Sequence, residues 1–503
     1  MEEAKKPTGR PLRIMMLTNS EYGQANVHLA VLYELIVKGG LDIHFTSFKN
    51  LEPRVKDVER RAEWSADGQD RSPLTFHDIG GTCMIKRLEK KTGKPFEREI
   101  RKPGFFGAWK ALSMAPDILM PWSADEFVEQ VGRIGGLIDE IKPDLVVCDP
   151  LYLIGRDACR WKNAKTVILS PNTVKEHVLH LQGVRALWMW GGIATGYPYP
   201  LPWYLIPLAI IISLRGAILM VVAFKSNAIA SARKELGMDW PLAVFDRDAP
   251  NELREYIVST PELDLAAIIP PKVACVGPIL QAVETVGDKD RDLADWLARG
   301  PTVLIVLGSM FDIRPAYAQE LVKALRQIMD TRNDVQILWK YQSSEVKSAS
   351  ALEPLQDLVS EDRLRVVDWL EADPLAVLQT GHVCCFVNHG GSNSYHEAMA
   401  TGTPQVLLPA WFDCYEFAAR TEWLQNGAWG NAKGSYTDTG IIGQEFANTV
   451  LDVIGRTTDD DTAKAMKARC VGYAKLAVAR GGRQRAAAEI LQIAEDLATA
   501  NLD

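Results

Sequence analysis

Residues 384–420, CCFVNHGGSNSYHEAMATGTPQVLLPAWFDCYEFAAR, decide the fold. They open on a short apolar run, Cys384 to Val387, that reads as a buried strand. His389, Gly390 and Gly391 follow, and glycines there let the backbone turn tightly and approach a ligand closely. Ser392, Asn393 and Ser394 then offer N-cap chemistry for a helix through Glu397, Ala398 and Met399. A strand, a glycine turn and a helix start aim free N–H groups and a positive dipole end at one point. That point suits an anion, and a diphosphate in particular. A second apolar run, Val406 to Leu408, ends at Pro409, with Asp413 in the loop beyond. Both loops then open on the same edge of one parallel sheet. Taken alone, a glycine turn between strand and helix is often only a turn.

The order of the residues says more. His-Gly-Gly, Asn-Ser, Glu-Ala, Gly-x-Pro, Pro and Asp, at this spacing, closely resemble the donor signature of UDP-dependent glycosyltransferases. The match is nearest to fungal members. The resemblance implies an α/β protein of the GT-B class. Two Rossmann-like domains would face each other across a cleft, and a C-terminal helix would cross back to the first. It also implies roles. His389 and Gly391 would meet the diphosphate, and Asn393 and Ser394 would hold the phosphates at the helix start. Glu397 would accept the ribose hydroxyls and Asp413 those of the sugar; carboxylates accept strong hydrogen bonds from paired hydroxyls. Cys414 stands where plant members usually have Gln beside the sugar. Trp369 resembles the tryptophan that stacks on uracil, but the Pro-Gln that follows it in the family is absent. The alternative for Trp369 is a core aromatic closing a strand.

The whole chain fits this size of protein. Its 503 residues are too many for one ordinary core. Composition is that of a globular protein, 47% apolar and 24% charged. With net charge -8 and no basic run, nucleic acid is excluded as an expected partner. Eight cysteines are scattered without metal-ligand spacing. The start, MEEAKKPTGR, is not a signal peptide, and there is no Asn-x-Ser/Thr sequon. A reducing, cytoplasmic compartment is expected.

The first half starts as a βαβ unit. Leu12 to Leu17 reads as a strand, Thr18 to Gly23 as a polar loop, Gln24 to Val37 as a helix, and Ile43 to Ser47 as the next strand. Trp64 to Gly81 reads as loop. In the family a catalytic histidine begins that first helix, which places it near Gln24 or Ala25, and neither is histidine. His28 is the nearest, one turn on and on the same face as Gln24. His28 is therefore the candidate base, with packing at the interface as the alternative; Glu21 and Tyr22 are further candidates. Leu145 to Cys148 is a strand ending at Asp149, which resembles the aspartate that orients and charges the family base. Asp149 also suits a helix cap. His177 and His180 lack a third ligand, so a helix-surface pair is expected rather than a metal site.

Ala186 to Leu214 holds no charge and includes Trp188, Trp190, Tyr197, Tyr199, Trp203 and Tyr204. Its length would allow a membrane span. Glycines and prolines interrupt it, and Arg215 divides it from Gly216 to Phe224. A broken, Trp- and Tyr-rich stretch suits an interfacial segment or an acceptor pocket. The reading is an apolar acceptor such as a terpenoid, sterol or lipid, with peripheral membrane contact through 186–224. The plain alternative is a buried helix pair.

Residues 1–280 are thus expected to form the acceptor domain and 281–300 the linker. Residues 301–480 are the donor domain and 481–503 the crossover helix. Thr302 to Leu307 runs into Gly308 and Ser309, which resemble the loop that approaches the phosphates. The resemblance implies inverting transfer of a hexose, glucose first, from a UDP-sugar co-substrate. No cofactor and no metal are expected, since no acidic pair stands beside the diphosphate site. A donor-binding pseudoenzyme and a nucleotide-sugar epimerase are the rival readings. The missing histidine suggests the first, and the apolar segment argues against the second.

Overall fold

A computed structural model describes residues 10–65, 71–95, 102–225, 228–246, 248–308, 311, 313–341 and 352–500. Two all-parallel sheets form its frame. The first has seven strands in the order β3-β2-β1-β4-β5-β6-β7: β1 (Leu12–Leu17), β2 (Leu41–Ser47), β3 (Leu74–Asp78), β4 (Leu145–Cys148), β5 (Thr166–Ser170), β6 (Glu252–Ile257) and β7 (Val273–Cys275). The second has six in the order β10-β9-β8-β11-β12-β13: β8 (Thr302–Val306), β9 (Gln336–Lys340), β10 (Leu364–Val367), β11 (Val383–Asn388), β12 (Gln405–Leu407) and β13 (Gly427–Trp429). The central strands are apolar along most of their length because helices cover both faces. Every residue of β4, β5 and β8 is buried.

Two expectations change here. Leu74–Asp78, read as loop, is the edge strand β3, and Glu252–Ile257 is a strand the sequence did not announce. Both are charged and short. β6 alternates Glu, Leu, Arg, Glu, and β3 ends on His77 and Asp78, so neither shows the continuous apolar run of the inner strands.

Glycines and the last helix tie the halves together. The helix Gly482–Ala500 crosses back and buries Ala486, Ile490 and Ala494 among Leu29, Leu32 and Leu41 of the first sheet's core. The Gly482 N–H donates to Val276 O at 2.8 Å, and Arg483 pairs with Glu34 at 2.6 Å. Leu263 from the first half packs with Tyr395, Leu407 and Phe417 of the second. Beside it, Arg420 pairs with Asp264 at 2.8 Å, both buried. Removing one partner of a buried pair leaves the other uncompensated, at about 3 kcal/mol or more.

The segment before the long apolar helix is neither a span nor a simple helix pair. Residues 179–205 form 3-10 turns and loops, and they press against the second half. Tyr199 meets Trp423 with ring centroids 6.3 Å apart, and Gly196 leaves no room for a Cβ beside Trp429.

Candidate active site

The carboxyl ends of the two sheets converge, as parallel sheets place their ligands. From the second sheet comes the turn after β11. Gly390 has φ +81°, and its N–H donates to Asn388 Oδ1 at 2.8 Å. A Cβ at Gly390 would crowd the Cys414 carbonyl. The helix Ser392–Thr401 then starts, with Gly391 in extended backbone at its N-cap. Ser392, Asn393 and Ser394 therefore do not cap the helix, as the sequence suggested. They are its first turn, and no side chain caps it. Its first N–H groups have no partner within the helix.

The side chains of that turn reach the first half. Ser392 Oγ donates to Pro171 O at 2.7 Å, and Asn393 Nδ2 to Tyr22 O at 3.3 Å. Tyr22 is the first residue of the helix Tyr22–Lys38, whose N-cap Glu21 also makes no side-chain cap. Two uncapped helix N-termini thus abut across the cleft. Their positive dipole ends repel unless an anion lies between them.

The His389 ring lies against two glycines. A Cβ at Gly308 would sit 2.6 Å from its Cε1, and one at Gly391 2.4 Å from its Nε2. Trp411 closes another side, with centroids 5.8 Å apart. Nδ1 is buried and has no hydrogen-bond partner. Burial pushes the ring's pKa down to about 4, so it is neutral at pH 7. A neutral imidazole with an unused nitrogen can donate to a phosphate oxygen without a counter-charge. Ser309 lies outside the described residues; Gly308 before it has φ +82°.

The carboxylates are shifted by the same enclosure. Glu397, on the helix after Asn393, is pushed up to about 8 by burial and then by Asp373. Asp413 is open to water yet deep enough in the cleft that burial raises it to about 6. Nearby, Lys175 from the first half pairs with Glu416 on the helix that Asp413 begins. Trp369 is 58% exposed, with Lys340 Nζ 3.8 Å above its ring. The core-aromatic alternative is thereby removed. Cys414 is a correction in the other direction. The residue is 1% exposed and packs in the core with Trp411 and Phe311, so its thiol does not face the cleft.

The expected base pair is not formed. His28 is 0% exposed, and neither ring nitrogen has a hydrogen-bond partner. Burial pushes its pKa down to about 4. Asp149 spends its oxygens elsewhere, accepting from Thr18 Oγ1 at 3.1 Å and Leu151 N at 2.8 Å. His28 sits on the apolar core side of its helix, among Ala25, Leu29 and Leu32, because one turn from the N-terminus the face is already buried. A sealed imidazole cannot meet an acceptor.

A residue only touched by the sequence reading stands at the helix start instead. Glu21 Oε1 accepts from Ile85 N at 2.8 Å, while Oε2 has no partner. Burial, then Asp149, raises its carboxyl above the usual range. Asn19, Ser20 and Gln24 beside it also carry buried polar atoms without partners. The signal was the run of polar residues at a strand end, which a search for histidine passes over.

Over 96% of its length this chain is 31% identical to the glycosyltransferase sdnJ of Sordaria araneosa, 97% of which is covered. The chain belongs to the UDP-glycosyltransferase family. Residues 297–436 match the family described as UDP-glucoronosyl and UDP-glucosyl transferase. The UDP-glycosyltransferase CGT of Oryza sativa subsp. japonica is 28% identical over 42% of this chain and 45% of its own. The fold is that of GT-B enzymes. A UDP-glucosyltransferase from Polygonum tinctorium superposes with a TM-score of 0.62 at 15% identity, covering 97% of this chain and 99% of that one. This UDP-glycosyltransferase therefore keeps the family's donor signature and lacks an accessible histidine at the start of its first helix.

Proposed function

We propose that the enzyme transfers a hexose, glucose first, from its UDP-sugar to a hydroxyl of an apolar acceptor with inversion. The carrying observation is the pair of abutting, uncapped helix N-termini with the unpartnered His389 Nδ1 beside them. In this reading the diphosphate lies between the helix ends. His389, Gly391, Asn393 and Ser394 hold it, and they stabilise the charge that develops as UDP leaves. Trp369 stacks on uracil, Glu397 receives the ribose, and Asp413 receives the sugar hydroxyls. The broken aromatic segment 186–205 shapes the acceptor side, and the apolar helix after it keeps the enzyme at the edge of a membrane.

Glu21 is the base in this reading, and His28 is not. A carboxyl whose pKa is raised by burial accepts a proton more readily than an ordinary one. Its Oε2 is buried but unpartnered, and the residue is only half-buried beside the exposed Tyr22 and Gly23, whereas His28 is buried throughout. The acceptor O–H proton passes to that oxygen, the acceptor oxygen bonds to the anomeric carbon, and the bond to UDP breaks. The test compares the parent with one variant, using UDP-glucose and a panel of apolar alcohols, with mass detection. Glu21→Gln should lose about a hundredfold or more in transfer while keeping its UDP affinity. Full transfer by Glu21→Gln would remove Glu21 from the chemistry.

A further inference from the structure

We propose that the helix Ile206–Lys225 lies in the surface of an anionic bilayer with its outer face in the acyl boundary. This deepens the peripheral contact stated above, and it depends on the transferase reading only for its purpose. The helix is long and apolar enough to cross a membrane, and little of it is buried. Its two faces differ. Ala209, Ile212 and Phe224 are buried, and Leu219 and Ala223 pack beside them. Ile211, Leu214, Ile218, Val221 and Val222 form the opposite face and are exposed, Ile218 by 61% and Val222 by 65%. Their spacing of three and four residues is one helical stripe. A water-facing helix carries polar side chains there. Here the nearest polar groups turn away: Ser213 Oγ donates to Leu187 O, and Arg215 binds Trp109 O and Ser113.

Aromatic side chains extend the stripe at its edges. Trp203 (81% exposed) and Tyr204 stand just before the helix. Phe106 (84% exposed) and Trp109, three apart on the neighbouring helix Gly104–Leu112, stand beside it, with Arg215 4.0 Å over the Trp109 ring. Such rings settle at the headgroup level. The charge pattern names the surface. The chain carries -8, yet no Asp or Glu occurs from His177 to Lys234 or from Lys102 to Pro116. Lys110 and Arg185 are exposed in those stretches. Basic groups around an apolar stripe match anionic headgroups.

The packed inner face excludes spanning, since the helix would have to leave the core it helps to close. A 20-residue helix is about 30 Å long, so lying flat it presents the whole stripe at once. The geometry also gives the contact a use. Phe412, the residue before Asp413, packs on the same cluster as Ile212 and Leu219. The bilayer face is thus one layer of side chains from the cleft, and an apolar acceptor has a short path into it.

The experiment is co-sedimentation of the full chain with vesicles of phosphatidylcholine, with and without phosphatidylserine. Binding is expected to be stronger with phosphatidylserine and to weaken with salt. Ile218→Glu with Val222→Glu should cut it by about tenfold or more. Lys110→Gln and Arg185→Gln should each cost about fivefold, on the anionic vesicles alone. UDP affinity should be unchanged throughout, which shows that the variants fold. Failure of the parent chain to bind either vesicle overturns the proposal. So does a stable dimer in solution that the double variant splits, because a second copy would then own the face. Intact UDP binding with no vesicle binding sinks the docking face alone; vesicle binding with no UDP affinity sinks the donor reading alone.

Discussion

The two strand–turn–helix corners that meet at the cleft are built alike and finished differently. After β11 the turn is glycine-rich, with a positive φ at Gly390, and it presents main-chain N–H groups with one imidazole. After β1 the turn runs Thr18, Asn19, Ser20, Glu21 without glycine, and it presents side-chain oxygens and amides. The first kind of corner suits a group that is the same in every donor, the diphosphate, because backbone cannot be varied by substitution. The second, built from side chains that substitution can change, suits the acceptor and the way its proton leaves. The lesson is that the missing histidine belongs to the variable corner and does not weaken the fixed one.

Substitutions can break or sharpen this contrast. His389→Ala should cut transfer by about a thousandfold with little change in melting temperature, read by initial rates and calorimetry. Near-parent rates would mean that the fixed corner does not grip the diphosphate. Gly391→Ala should cost about a hundredfold, since the new methyl must displace the imidazole by roughly an ångström. UDP titration would show whether the loss is in binding or in rate. Trp369→Ala should weaken UDP by about tenfold, the stacking contribution of one exposed base; unaltered affinity would free that ring from uracil.

His28→Leu gives the smallest effect and the cleanest sign. Transfer should stay near the parent's. The folded-state pKa is about 4 against an unfolded value of about 6.5, so the unfolded chain binds the extra proton between them. The stability contributed by the neutral ring is complete above about 6.5 and is lost as the pH falls towards 4. The loss is about 3 kcal/mol, and denaturant midpoints across that window should be flatter in the variant. A collapse of transfer in His28→Leu would return the base to the variable corner's histidine.

The legibility of the chain was uneven for the same reason. Central strands such as β8 and β11 announce themselves because both faces are largely buried and all but one residue of each is apolar. The edge strand β3 does not because it is only half-buried, and β6 does not because its buried Glu252 and Glu255 are paired with Arg156 and His177, which breaks the apolar run. The strand β11 and the glycine turn and helix after it were readable as elements, although Gly391 and not a serine holds the cap position, since an extended glycine leaves the first turn open. Cys414 looked like a sugar contact from its place after Asp413, but the helix that starts there turns its side chain into the core.

By itself the sequence determined the two-sheet frame and the family, because strand hydrophobicity, glycine placement and residue order are local properties. Only the tertiary structure decided which side chains reach the cleft. About two turns of helix separate Glu21 from His28, and which of the two is sealed depends on the helices and strands packed around them. The same holds for the helix Ile206–Lys225, whose composition is apolar all round; only the packing of Ala209 and Ile212 against the core left the stripe from Ile211 to Val222 facing outward.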